Sequence, residues 1–280
     1  MQTDHIKENL LKLPKISQIA ANHAKLAKKS LGQNFLVDDT IARQIINSCF
    51  IKDIPVLEIG PGLGALTREI IYKSSGSVPI HVVEKDDSMM SYLEELSGID
   101  SNLSIHHADA LSFDEAKIAS KLQIIANLPY NIGTQLLLKW LQKPELFASI
   151  TVMLQQEVIK RLYAKPNTRA YGSLSIFVQV LCEVEHVLDV PPESFVPRPK
   201  VESAVIKLMP RTSIDPDLDL AKLERVVRAC FAHKRKMIKK ALNAFFDRRL
   251  DEVCKRYGID PSSRPEQLSI ADYINLSKEL

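Results

Sequence analysis

Asn127, Leu128, Pro129 and Tyr130 bring together a side-chain amide, a backbone carbonyl held ahead of a proline, and an aromatic ring. That set suits a flat substrate carrying an exocyclic amine. The amide oxygen and the Leu128 carbonyl can accept the two amine hydrogens, and the Tyr130 ring can stack on the base. The lone pair of an adenine N6 amine is delocalised into its ring, so the amine is a poor nucleophile. Accepting both hydrogens favours a tetrahedral nitrogen and localises that pair. This is catalysis by positioned dipoles, without a strong base. The same residues also fit a plain strand-to-loop turn with a surface tyrosine, and a motif this short does not separate the two readings.

A second constellation lies upstream. Gly60-Pro61-Gly62-Leu63-Gly64 has G-x-G-x-G spacing. Glycines in such a turn let a ligand approach the backbone without Cβ clashes. The dinucleotide fingerprint is G-x-G-x-x-G, so the shorter form fits a ligand without a pyrophosphate. Glu84 stands where a ribose diol contact is expected. Asp109, through its carboxylate or its neighbouring backbone, could reach an adenine amino group. Glycine turn, Glu84, Asp109 and Asn127 follow one another in the order that nucleoside-cofactor binding requires.

The elements that must position these groups can be read from the apolar pattern. Val56–Ile59 and Ile80–Glu84 are short apolar strands, Leu103–His107 is strand-like, and the apolar run 124–126 leads into Asn127. Residues 65–72 and 134–141 read as helices, as does 155–163; residues 149–154, 178–190 and 203–209 read as further strands. Strands alternating with helices argue for a mostly parallel sheet covered by helices. The candidate groups then recur at successive strand ends, where open α/β sheets bind ligands. The segment 210–216 is polar with a proline at each end and reads as a linker. Beyond it, Leu220, Leu223, Val226, Val227, Cys230 and Phe231 keep helical spacing, as do Met237, Ile238, Ala241, Leu242 and Phe245. The tail is therefore a small helical domain.

With these residues in view, the chain resembles the small-subunit (16S) rRNA adenine N6,N6-dimethyltransferases, which use S-adenosylmethionine. The resemblance is carried by Lys29-Ser30-Leu31-Gly32-Gln33-Asn34-Phe35-Leu36, by LEIGPGLGALT at 57–67, and by Glu84 with Asp86. Ala108-Asp109-Ala110, NLPYNI at 127–132, and the stretches 155–162 and 171–175 follow, and then FVPRPKVESAV at 195–205. These run in family order from residue 29 to at least 246. The resemblance implies a Rossmann-like class I S-adenosylmethionine-dependent methyltransferase fold, α/β, with a seven-stranded sheet in which one strand is antiparallel. A small C-terminal all-helical domain follows. The expected spans are 1–210 for the catalytic domain, its first 40 residues closing over cofactor and RNA, and 217–280 for a helical rRNA-binding domain.

The resemblance also implies roles. Asn34 and Leu36 would close over the cofactor, Gly60 and Gly62 would lie against it, Glu84 would hold the ribose and Asp109 the adenine. Asn127 and the Leu128 carbonyl, fixed by Pro129, would hold the target amine at the cofactor's edge. Tyr130 would stack on the base, and Phe195 is similar to the aromatic that packs on its other face. Leu36 and Phe195 are also readable, less favourably, as core residues. The implied target is a pair of adjacent adenosines in the 3′-terminal hairpin loop of small-subunit rRNA, within the 30S subunit or its precursor, with a link to ribosome biogenesis. A monomer is expected on the same ground. One departure concerns the C-terminal helices, which read His233-Lys234-Arg235-Lys236-Met237 where the family more often has paired arginines followed by Lys-Thr. Gln156 also stands where a lysine is common. Lysine and arginine differ in phosphate geometry, so the details of RNA contact are affected and the catalytic class is not.

Composition agrees with this reading. The chain has 280 residues, 45% hydrophobic and 25% charged, as in an ordinary soluble protein. No apolar run approaches the roughly 18 residues that span a bilayer, and the N-terminal segment carries charges where a secretory apolar region would lie. Cys49, Cys182, Cys230 and Cys254 are far apart and suggest neither a zinc site nor a disulfide framework, so reduced thiols and a cytoplasmic location are expected, with a mitochondrial one as the alternative. Net charge is only +3, but the cations cluster. Lys25, Lys28 and Lys29 form one group. Arg161, Lys165 and Arg169 form a second, Arg198 and Lys200 a third, and Lys234, Arg235, Lys236, Lys239 and Lys240 a fourth. Converging, they would bind RNA phosphates; singly, they read as solvated faces. Three rival readings share many of these features. They are a 23S rRNA adenine dimethylase, a DNA adenine methylase, and a non-catalytic assembly factor of the small subunit. The match through Phe195 and the C-terminal helices favours the small-subunit enzyme, no target-recognition region for DNA is evident, and the intact site residues argue for chemistry.

Overall fold

The computed structural model describes residues 2–23 and 32–280. It opens with α1 (Gln2–Lys12) and α2 (Ile16–His23), then β1 (Phe35–Leu36) and α3 (Asp39–Ser48). Neither of the first two helices is among the elements expected above, although their apolar residues keep one-turn spacing. Ile6 and Leu10 are buried in the main core, and Ile16, Ile19 and Ala20 pack with Phe35, Leu63 and Met89. The start of α3 is set by Asp38, whose carboxylate accepts from the Thr40 and Ile41 N–H groups.

The nucleotide-type core follows as β2 (Val56–Ile59), α4 (Ala65–Ser74), β3 (Ile80–Glu84), α5 (Met90–Ile99), β4 (Leu103–His107), β5 (Leu122–Asn127), α6 (Gly133–Trp140) and β6 (Phe147–Gln155). Next come α7 (Gln156–Leu162), α8 (Ser173–Leu181), β7 (Cys182–Val190), β8 (Phe195–Val196) and β9 (Ser203–Pro210). The main sheet has seven strands in the order β4-β3-β2-β5-β6-β9-β7. β2 is parallel to β3 and β5, β3 to β4, and β5 to β6, whereas β9 runs antiparallel to β6. All four residues of β2 and the first five of β5 are buried, as central parallel strands covered on both faces must be. After β2 the chain builds outward through β3 and β4, then returns to the other side of β2 for β5. That reversal opens a crevice at the C-terminal ends of β2 and β5.

The expected strand over 178–190 begins late, because its first residues finish α8. Leu174, Ile176, Val178, Val180 and Leu181 are buried on nearly every side of that helix. A continuous apolar run carries no periodicity that separates helix from strand. The strand itself starts at Cys182, where acidic and apolar residues begin to alternate.

The chain divides into two compact units, residues 1–159 with 185–210, and residues 160–184 with 211–280. The second is therefore larger than the 217–280 span expected, because α8 and the loop before it pack with the C-terminal helices. Those are α9 (Leu220–Ala232), α10 (Ile238–Phe246), α11 (Leu250–Tyr257) and α12 (Ile270–Lys278). Its interior holds Tyr171 edge-on to Phe231, which stacks on Tyr273 with ring centres 5.9 Å apart. The Tyr273 hydroxyl is satisfied by the Pro265 carbonyl at 2.8 Å. Among the described residues, no helix is long and apolar enough to cross a membrane. All four cysteines are buried and free.

Candidate active site

The crevice is a cavity of about 220 Å³ in the first unit. Every expected cofactor and target-amine residue except Phe195 lines it: Asn34, Leu36, Gly60, Gly62, Glu84, Asp109, Asn127, Leu128, Pro129 and Tyr130. The glycine turn needs its residue types. Gly60 and Gly62 have φ values of +66° and +55°, a region that L side chains rarely adopt. A Cβ on Gly62 would also stand 3.2 Å from the Phe35 ring.

Glu84 does more than face the cavity. Its Oε2 accepts from the Gly62 N–H at 3.1 Å, and its Oε1 accepts from the Lys85 and Asp86 N–H groups, both at 2.8 Å. The carboxylate thus pins the glycine turn to the end of β3, and of its roughly four acceptor directions one is left for a hydroxyl donor. Burial raises its pKa, and the three backbone donors oppose that shift. Behind it, Glu58 is buried on β2, where its Oε2 accepts from the Thr67 hydroxyl at 2.7 Å. Burial pushes the Glu58 carboxyl up to about 8. Asp109 is more exposed. It binds the Lys85 ammonium at 2.8 Å and the Leu111 N–H at 2.9 Å, and the Lys85 contact first of all holds its pKa low.

At the end of β5, the Asn127 Nδ2 donates to the Asn34 carbonyl at 3.2 Å. The Leu128 N–H is held by the Met153 carbonyl, and the Pro129 carbonyl takes the Ile132 and Gly133 N–H groups that start α6. Among the described residues, no donor meets the Leu128 carbonyl or the Asn127 Oδ1. The two residues that carry these acceptors both line the cavity. The Tyr130 hydroxyl is fixed 2.6 Å from the Ser203 hydroxyl on β9, and burial raises its pKa. A Cβ on Gly133, the first residue of α6, would sit 2.2 Å from the Leu154 Cδ2, so any side chain there would force buried Leu154 to shift.

Phe195 lies elsewhere. It is in the core, paired with Leu36 across the short antiparallel ladder of β1 and β8, and does not line the cavity. Through Leu36 it ties β8 to β1, the segment that borders the cavity. That segment is tied down further by Gln33, whose amide donates to Asp86 at 2.6 Å, and by the Val37 N–H on the Ser194 carbonyl at 2.8 Å. The sequence reading did not single out Glu58, Lys85, Ser203 or Gly133 for these tasks. The first two sit beside motif residues, but the partners of Ser203 and Gly133 are distant in sequence and leave no local signal.

Of the basic residues, Lys25, Lys28 and Lys29 lie outside the described residues. Arg198 is paired with Glu193, and Lys200 is exposed. In the second unit, Lys234 donates to the Arg169 and Tyr171 carbonyls at 3.1 and 3.0 Å. It is a strut between two loops, and it brings the 161–169 and 234–240 groups together on that unit. Arg235, Lys236 and Lys240 are exposed, whereas Lys239 stands 3.7 Å from Asp251. Among the described residues, no cluster of three or more His, Cys, Asp or Glu side chains is arranged to hold a metal.

Comparison with known proteins gives the family and the fold. The chain is 38% identical to a ribosomal RNA small subunit methyltransferase A of Mesorhizobium japonicum, covering 96% of this chain and 98% of the relative. It is 40% identical to the protein of the same name from Legionella pneumophila, covering 90% and 96%. Among solved structures, a dimethyladenosine transferase of Plasmodium falciparum superposes with a TM-score of 0.71 at 25% identity, covering 85% of this chain and 94% of that one. The 23S rRNA methyltransferase ErmE superposes with a TM-score of 0.70 at 26% identity, covering 88% and 99%. The family profile of ribosomal RNA adenine dimethylase matches residues 24–280, which include the glycine turn, Glu84, Asp109 and the paired acceptors after β5, and the chain belongs to that family of S-adenosylmethionine-dependent methyltransferases.

Proposed function

We propose that this protein dimethylates N6 of two adjacent adenosines in the 3′-terminal hairpin loop of small-subunit rRNA, within the 30S subunit or its precursor. The observation that carries the chemistry is the pair of acceptors, Asn127 Oδ1 and the Leu128 carbonyl, that no donor among the described residues meets, on residues lining a cavity of about 220 Å³. The names of the relatives support the small-subunit target. We place the protein in the cytoplasm as a monomer. Its first unit would be the catalytic domain and its second a helical RNA-binding domain.

The residues present fit S-adenosylmethionine. The left-handed glycines open the backbone for close approach, Glu84 keeps one acceptor direction for a ribose hydroxyl, and Asp109 with Leu111 borders the far end. When bound, this cofactor supplies an electrophilic methyl group on a positively charged sulfur. The chain's residues do the rest. The target adenine must leave its stack, which costs a few kcal/mol and less in a loop. Tyr130 offers a ring for the flipped base, held by Ser203. Asn127 Oδ1 and the Leu128 carbonyl accept the N6 hydrogens, two in the first transfer, whereas in the second one hydrogen remains and one acceptor is engaged. These bonds orient the nitrogen lone pair toward the cofactor side and strengthen as the nitrogen becomes positive. Each methylated nitrogen then releases one proton to water. Proximity and orientation supply the remainder, and no side chain is assigned as a general base.

In the second unit, we assign the exposed Arg161, Lys165, Arg169, Arg235, Lys236 and Lys240 to the RNA backbone. Lys234 joins the loop that carries Arg169 to the one that carries Arg235 and Lys236. The test of the whole reading is methyl transfer from labelled S-adenosylmethionine to unmethylated small subunits, with large subunits and naked DNA alongside and nucleoside mass spectrometry of the product. Dimethyladenosine confined to small-subunit rRNA is the expected result. Product in large-subunit rRNA would place the chain with the 23S enzymes, and tight small-subunit binding without product would make it an assembly factor.

A further inference from the structure

The loop that follows β4 forms one wall of the cavity through Asp109, Ala110 and Leu111. It is not part of the sheet and needs an external support. That support is Lys139, near the end of α6. Its Nζ donates to the Ala110 carbonyl at 3.0 Å, to the Phe113 carbonyl, and to the Glu115 carboxylate at 2.9 Å. Glu115 is buried and takes a second donor on the same oxygen, the Trp140 indole N–H at 2.7 Å. All three ammonium protons of Lys139 are thus committed to this loop. The loop's near end is fixed locally, by the Ser112 and Phe113 N–H groups on the Asp109 carbonyl.

α6 begins at the other half of the site, where the Gly133 N–H bonds the Pro129 carbonyl. One short helix therefore starts on the target-amine motif and ends on the clamp of the opposite wall. We propose that Lys139, seated by Glu115, is a positioning residue that sets the adenosyl-side wall of the cofactor cavity. It does not line the cavity. Its removal would loosen Asp109 and Leu111 and so weaken cofactor binding, while the acceptors after β5 keep their own anchors at Asn34 and Met153. The inference rests on reading the Asp109 side of the cavity as the adenosyl subsite.

The test uses the full chain and S-adenosylhomocysteine, whose binding needs no turnover, measured by calorimetry for wild type, Lys139→Met, Lys139→Arg and Asp109→Ala. Lys139→Met should weaken binding about tenfold or more, the scale of losing charge-assisted hydrogen bonds. The KM for S-adenosylmethionine should rise in step, with kcat and the KM for the RNA substrate nearly unchanged, and Lys139→Arg should recover most of the affinity. Glu115→Gln, which keeps an acceptor for Trp140, should give a smaller loss and serves if Lys139→Met does not fold. A folded Lys139→Met or Glu115→Gln protein with wild-type affinity, beside a weakened Asp109→Ala, overturns the positioning role alone. Unchanged affinity in Asp109→Ala overturns the adenosyl-subsite reading with it.

Discussion

The Asn127 side-chain amide donates to the Asn34 carbonyl at 3.2 Å. A carbonyl can only accept, so this bond fixes which end of the amide is nitrogen and leaves Oδ1 as the end available to a substrate. Asn34 precedes β1, which is held by β8, so the segment that borders the cavity also orients the Asn127 amide. The two halves of Asn127 can be separated by mutation. Asn127→Ala should lower turnover about 10²–10³-fold, the range for one transition-state acceptor or donor, with cofactor affinity changed only slightly. Asn127→Asp keeps an acceptor but cannot donate to Asn34, and should also lose most turnover. Single-turnover methyl transfer with saturating substrates measures both, and near-normal rates would remove Asn127 from the mechanism.

The hydroxyl and the ring of Tyr130 have different tasks. Tyr130→Phe keeps the stacking surface and leaves the buried Ser203 hydroxyl without its partner. It should cost stability by about 1 kcal/mol and activity only a few-fold. Tyr130→Ala removes the platform, whose stacking contributes roughly 1–3 kcal/mol per base, and should raise the KM for RNA. Comparable activity of the two variants would argue against stacking.

Glu58 makes stability depend on pH in a stated direction. Its carboxyl moves from 4.5 in the ordinary case to about 8 in the folded protein, chiefly through burial. Between those values the folded state holds a proton that the unfolded chain has lost. Stability therefore falls as pH rises through this window, by at most about 1.4 kcal/mol per pH unit. Glu58→Gln has no charge to bury and should flatten this slope and be the more stable protein at pH above 8. A smaller slope of the same sign should remain from Glu84, whose pKa is also raised. Urea denaturation across this range reads the difference, and parallel curves for the two proteins would contradict it.

Reversing the charge of Lys236 and Lys240 should weaken RNA binding and reduce its salt dependence, with S-adenosylhomocysteine affinity unchanged. Two lost phosphate contacts should lower the slope of log affinity against log salt by about 2. Filter binding at several salt concentrations tests this. A variant with the wild-type slope would assign those lysines to a solvated face. Lys234 should behave differently, since its bonds to the Arg169 and Tyr171 carbonyls make it structural, and its loss should first lower the melting temperature.

Much of the cofactor side was legible in the linear order of residues. The strands β2, β3 and β5 are short apolar runs and β4 is strand-like, and Gly60, Glu84, Asp109 and Asn127, which line the cavity, lie at their C-terminal ends or within two residues of them. In this parallel sheet β2, β3 and β4 are neighbours in chain order and β5 returns to the other side of β2, so all four C-terminal ends border one crevice at the switch point. Glu84, Asp109 and Asn127 could therefore be named before any coordinates. Other features required the tertiary structure. The polarity of the Asn127 amide depends on Asn34, which lies 93 residues away, and the hold on Tyr130 depends on Ser203, 73 residues away. Phe195 illustrates the limit of a side chain's type, since an aromatic suits a base stack and a core equally, and only the pairing of β8 with β1 put it in the core. Residues 178–181 illustrate the same limit for local structure, because a uniformly apolar run has no period from which to tell helix from strand. Composition and spacing determine which chemistry a strand end can offer. Long-range hydrogen bonds and packing decide which atom of that residue faces the substrate, because those partners are chosen by the fold and are not written into the neighbouring sequence.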